Sequence, residues 1–212
     1  MAILKVAQMG HPVLRRVADP IDPTKIGLPA VQQMCQDLLE TMDEYDGAGL
    51  AAPQVHLSIR VVALTLDDDE GPEIWFNPVI TPITEELASM YEGCLSVAGL
   101  RGRVHRPVCI HVRYFDITGK DRAYVLQGFP AVVAQHECDH LDGVLYVDRV
   151  DTQTLAFLPE YRRYRGVSLD EDDESSDTDA DDVSNWGDAV IEVPPSLSPA
   201  DAYATVSPSE EE

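Results

Sequence analysis

Cysteine is scarce in this sequence: four in 212 residues, at Cys35, Cys94, Cys109 and Cys138. Thiols so few and scattered cannot staple a chain of this length, which excludes a disulfide framework and points to a reducing, cytoplasmic setting. Long apolar runs are also missing, and none approaches the roughly 20 residues of a membrane-spanning helix. The first ten residues break their only apolar stretch with Lys5, so they do not read as a secretory leader. Positive charge is the third shortage. Fifteen Lys and Arg face 38 Asp and Glu, a net charge of −23, which excludes nucleic-acid binding by phosphate neutralisation alone. A monomer with neither a membrane nor a direct nucleic-acid partner is the expectation.

The shortage of bases is uneven. Val167 to Glu212 holds 15 acids and no Lys or Arg, whereas residues 1–166 hold 23 acids and 15 bases. The first segment to consider is therefore a globular unit over 1–166, large enough for a real core. The second, 167–212, is expected to be a disordered acidic tail, because it has too little apolar surface to offset the entropy of ordering.

Within the globular unit, Val31, Met34, Leu38, Leu39 and Met42 recur at helical spacing, which predicts a helix from Pro29 to about Tyr45. Ile59 to Leu66 and Ile74 to Phe76, separated by an acidic turn, read as an antiparallel pair of strands. Val108 to Ile117 and Arg122 to Leu126 flank Thr118-Gly119-Lys120 as a second hairpin. Pro130 then opens a helix that runs to Gly143, since a proline's missing N–H costs nothing in a first turn. The fold class is α+β, with antiparallel strands around this second helix, an N-terminal helix and the acidic tail.

Gly47-Ala-Gly-Leu-Ala-Ala52 fits the dinucleotide pattern G-x-G-x-x-A. That pattern needs a preceding strand and a following helix. Here a helix precedes and Pro53 blocks the next one, so the glycines are read as serving a tight turn, or a close approach of backbone to a neighbour or ligand.

His136-Glu-Cys-Asp-His140 is H-E-x-x-H on a predicted helix. Residues four apart share a helix face, so the two imidazoles can bite one metal ion while Glu137 handles a proton of metal-bound water. A catalytic metal wants a third protein ligand. No histidine follows His140 and Glu160 lies beyond a proline, whereas Glu92-Gly-Cys-Leu-Ser96 offers the Cys94 thiolate upstream. Glu92 and Asp139 are candidates either for orienting a ligand histidine or for ion pairs with Arg103 or Arg106.

Three of these segments, Gly47-Ala-Gly-Leu-Ala-Ala-Pro-Gln54, Glu92-Gly-Cys-Leu-Ser96 and Gln135-His-Glu-Cys-Asp-His-Leu-Asp-Gly143, resemble the motifs of peptide deformylases in order and spacing. Gly10-His-Pro-Val-Leu-Arg15 resembles that family's N-terminus, and the likeness covers residues 1 to about 165. The resemblance implies removal of the formyl group from N-terminal formyl-methionine of new proteins, releasing formate. It implies one divalent metal ion, Fe(II) first and Zn(II) second, on Cys94, His136 and His140. It gives Glu137 as general base and acid, and Gln54 and the Leu95 N–H as donors to the developing oxyanion. It also suggests Gly49 and Gly93 as contacts of the peptide, and Arg101 either as another or as a solvated surface arginine. Its partners would be N-formylmethionyl peptides and nascent chains. Val132 and Val133, four and three residues before His136, share its helix face and serve either as walls of a methionine pocket or as core packing.

Two departures stand out. Ala98 replaces a proline common in the family after the cysteine motif. The acidic C-terminus is the reverse of the basic helix with which some members dock on the ribosome, which puts ribosome docking in doubt. Two other readings remain: a zinc peptidase with a different third ligand, and a non-enzymatic, metal-stabilised module that binds peptide termini.

Overall fold

Alternation of side chains along one short strand organises the core. In β2 (Val61–Leu64) every residue is buried, and successive side chains point to opposite faces. Val62 and Leu64 pack with one cluster that includes Trp75, Ile110, Val112 and Leu126, while Val61 and Ala63 pack with another that includes Cys35, Leu38 and Met42. Each face is covered by a helix. The second cluster belongs to α1 (Pro29–Glu44), which starts on Pro29 at its first turn and buries Cys35, Leu38 and Met42 along one stripe. The first belongs to α2 (Phe129–Leu141), which contributes Ala131, Val133, Ala134 and Leu141.

The computed structural model describes residues 2–67, 69–164 and 188–206. β1 (Gly49–Ala51), β2, β3 (Glu73–Pro82), β6 (Cys109–Phe115), β7 (Asp121–Gln127) and β9 (Ala189–Val193) form one sheet in the order β1-β2-β3-β6-β7-β9. A smaller sheet has the order β4-β5-β8, from β4 (Leu87–Cys94), β5 (Val97–Pro107) and β8 (Ala156–Phe157). All pairings between these strands are antiparallel. Two short helices, α3 (Leu158–Tyr164) and α4 (Pro199–Val206), complete the described elements. Among them no helix is long and apolar enough to cross a membrane. This mixture of helices and antiparallel sheet is the α+β class expected from the sequence.

Both anticipated helices and both anticipated strand pairs are present, the latter as β2–β3 and β6–β7. The β4–β5 hairpin is additional. Its inward positions hold Glu92 and Arg106, buried against one another, so charge masks its alternation in the sequence.

The C-terminus departs from expectation. Residues 189–193 were expected to share the disorder of the tail, but they pair with β7 from Ala123↔Val193 to Gln127↔Ala189. α4 follows, with Ser198 accepting from the Asp201 N–H at its start. Val193 and Ala202 are buried with Cys109, Ala123 and Val125. The physical reason is an open sheet edge: β7 offers a row of unpaired backbone groups that a modestly apolar strand can satisfy. The acidic run from Asp170 to Asp182, on which the expectation of disorder mainly rested, lies outside the described residues.

Candidate active site

The candidate side chains come chiefly from α2 and from the end of β4 in the small sheet. His136 and His140 stand one turn apart on α2, with ring centroids 5.1 Å apart and planes at 78°. Cys94 ends β4, where the register shifts between Glu92 and Cys94 as a bulge around Gly93. Such a bulge re-aims a side chain, and here the Cys94 Sγ comes to 3.3 Å from His140 Nε2. One donor atom each from Cys94, His136 and His140 lies within 4.8 Å of the others, the one such cluster among the described residues.

Two of the three donors, His136 and Cys94, are held by neighbours outside the cluster. His136 Nδ1 lies 2.7 Å from Glu92 Oε2, which leaves its other nitrogen for the site. The Glu92 carboxylate in turn accepts two bonds from Arg106, Nε at 2.5 Å and Nη2 at 2.9 Å. Arg106 Nη1 reaches Asp139 at 2.9 Å, and Asp139 also accepts from Arg149 at 2.8 Å. Glu92 thus fills both roles that its sequence position allowed, and Asp139 joins the ion-pair network; Arg106 is its partner. Burial alone would raise the Glu92 carboxyl, but the hydrogen bonds from His136 and Arg106 outweigh that and hold it near about 2. The Cys94 sulfur faces two donors, the Ser96 N–H at 3.4 Å and the Gln54 amide Nε2 at 3.5 Å. Gln54 Oε1 accepts from the Ala51 N–H at 2.7 Å, which fixes the amide so that its NH₂ points inward.

This donor set fits a cation. Burial opposes positive charge on His136, yet hydrogen bonds to Cys94 and Glu92 and the charge of Glu137 prevail and raise it to about 10. His140 is driven the other way, by burial first and then by the charge on His136. The three donor atoms lie within 4.8 Å of one another, and a thiolate with two imidazoles is a soft N/S set suited to Fe(II) or Zn(II).

Glu137 is buried one residue along from His136, and its Oε2 has no hydrogen-bond partner among the described residues. Burial pushes its carboxyl up to about 7, the range in which a carboxyl both takes and returns protons. Gly49 explains how it fits: a Cβ there would lie 2.6 Å from Glu137 Cγ and Oε1. Gly49 opens β1 directly after α1, so the glycine loop provides a close approach and not a nucleotide turn.

These groups line the floor and walls of a cavity of about 580 Å³. Gly49, Gln54, Gly93, Cys94, Leu95, Arg101, Val132, Val133, His136 and Glu137 all border it, while His140 sits behind, fully buried. Arg101 lies over Gly93, whose missing side chain makes room for the guanidinium. Tyr45, Met90, Tyr91, Leu100, Phe129 and Leu158 also line the cavity and went unnoticed in the sequence. Phe129 alone carried a signal, two helical turns before His136. Cys35, Cys109 and Cys138 are buried free thiols outside the cavity lining.

The sequence profile of the polypeptide deformylase family matches residues 3–156. The chain belongs to that family. Peptide deformylase 1 of Prochlorococcus marinus is 43% identical over 170 residues, spanning 76% of this chain and 88% of its own. The structure of a class I type b peptide deformylase from Acinetobacter baumannii with Met-Ala-Ser bound is 34% identical, with a TM-score of 0.66 over 70% of this chain and 99% of its own. That of the peptide deformylase from Thermotoga maritima is 36% identical, with a TM-score of 0.67 over 71% and 99%. The family match ends before α3, β9 and α4.

Proposed function

We infer that this chain is a peptide deformylase in which Cys94, His136 and His140 hold one divalent metal ion and Glu137 moves the protons. It hydrolyses the formyl amide of N-terminal formyl-methionine, so that one water and the amide give formate and a free amine. The observation that carries this assignment is the convergence of the three donors with Glu137 and the Gln54 amide at one end of a mainly apolar cavity.

A cation held there supplies Lewis acidity, making water a better acid and a carbonyl a better electrophile. The chain's own groups do the rest. Glu137, whose carboxyl burial pushes up to about 7, takes the proton of the attacking water and returns it to the leaving nitrogen. The Gln54 NH₂ and the Leu95 N–H donate to the formyl oxygen as negative charge builds on it, each donor worth about 2.7–4 kcal/mol by analogy. Val132 and Val133 wall the methionine side chain, and Gly49 and Gly93 let the peptide backbone lie close. Arg101 faces the residues beyond methionine. The Met-Ala-Ser bound to the Acinetobacter baumannii relative supports a peptide of this kind as the occupant. The metal is Fe(II) or Zn(II) on the ligand chemistry, and the acidic C-terminus disfavours docking on ribosomal RNA.

A zinc peptidase would need another third ligand, and the described residues bring no other His, Cys, Asp or Glu into the cluster. The deciding assay is formate release from formyl-Met-Ala-Ser by anaerobically prepared Fe(II) protein. The formyl peptide should be consumed and its acetylated counterpart left intact; no formate from the metal-loaded protein would leave the binding-module reading in its place.

A further inference from the structure

We propose that Asp188, carried by the C-terminal segment beyond the family match, is a positioning residue of the helix that bears the metal ligands. α2 begins without a cap of its own: Gly128 at the N-cap has no side chain, and Pro130 occupies the first turn. The first N–H groups of a helix find no partner within it and form the positive end of its dipole. Asp188 supplies the missing acceptor from a distant part of the chain. Its Oδ1 accepts the Phe129 backbone N–H at 2.9 Å, across 59 residues. Gly128 has φ 72°, and a Cβ there would fall on Asp188 Oδ1, so only glycine leaves room for the carboxylate.

Topology sets this meeting. Gln127 ends β7 and Phe129 begins α2, so an antiparallel strand whose first residue pairs with Gln127 starts beside the first turn of the helix. β9 is that strand, with Ala189 opposite Gln127. It is anchored by Val193 and Ala202 in their buried cluster and by an ion pair between Glu192 and Arg122. Asp188 is the residue just before it.

The first turn and a half of α2 supplies Phe129, Val132 and Val133 to the cavity wall, whereas His136 and His140 stand further along. Loosening the first turn thus disturbs the wall and spares the donors. Asp188 acts on how the peptide is held and not on the chemical step.

The test compares the full-length, metal-loaded chain with Asp188→Ala and Asp188→Asn, because asparagine caps a helix about as well as aspartate and alanine does not. Hydrogen exchange at the Phe129 amide should run about fivefold faster in the alanine variant, the fold-change a lost cap corresponds to. The KM for formyl-Met-Ala-Ser should rise about threefold or more with kcat within twofold, and the asparagine variant should recover both readouts. Unchanged exchange and KM in Asp188→Ala, or an asparagine variant no better than alanine, would overturn the proposal. The kinetic arm rests on the deformylase reading and the exchange arm does not, so a parent protein that releases no formate sinks that reading while the cap is still tested.

Discussion

In the proposed mechanism two residues decide whether chemistry follows metal binding. Glu137 lines the cavity beside the donors and, unlike Glu92, keeps an oxygen with no hydrogen-bond partner among the described residues; amide replacement keeps its volume while removing its proton traffic. Glu137→Gln should therefore bind metal normally, by elemental analysis, and release formate about 10²- to 10⁴-fold more slowly. Gly49 is the residue against which that carboxyl lies. In Gly49→Ala the new methyl would meet Glu137 at 2.6 Å and push it aside. A displacement of about 1 Å can cost about 10²-fold, so kcat should fall by roughly that factor with metal content intact. The glycine was visible in the sequence, but its reason was not: the neighbour it accommodates lies 88 residues away, and only the fold reveals that neighbour.

At the level of elements, the guanidinium of Arg106 joins β5 to β4 through Glu92 and to α2 through Asp139. Arg106→Met would keep the volume and leave a buried carboxylate answered by His136 alone. The cost of a broken buried pair is about 3–5 kcal/mol, to be read from urea unfolding. His111 on β6 behaves oppositely, since burial and then the charge of Arg113 lower its pKa below the ordinary 6.5. Unfolded chains bind a proton at His111 as pH falls through 6.5, and folded chains do not until lower pH, so stability is full above 6.5 and declines below it. His111→Asn should shrink the drop in urea midpoint between pH 7.5 and 5.5. The elements also divide by how legible they were. α1, α2 and the β2–β3 and β6–β7 pairs announce themselves through apolar period and turn residues. β4 and β5 do not, because Glu92 and Arg106 take inward positions that become tolerable only once paired across the hairpin. β9 escaped for a related reason: its order comes from the edge of β7 and not from any strength of its own. The H-E-x-x-H pair was legible because both imidazoles lie on one helix; Cys94 was reached less directly, from an unfilled ligand slot and from the likeness of Glu92-Gly-Cys-Leu-Ser96 to a family motif.

For the whole molecule, the decisive arrangement is that the donors are drawn from separate layers. Cys94 belongs to the small sheet, and His136 and His140 belong to the helix on the large one. A cation bound by all three would tie the layers together, since the folded state alone presents the three donors as a set. Chelation should lower the melting temperature reversibly, and metal at about 100 times its Kd should restore about 2.7 kcal/mol of stability, measured by calorimetry with and without added ion. In a cell the same linkage would turn supply of the ion into a control on protein lifetime. Chains made during scarcity of the ion would open more often and meet proteases sooner, so starvation would thin the population of molecules as well as idle those that survive.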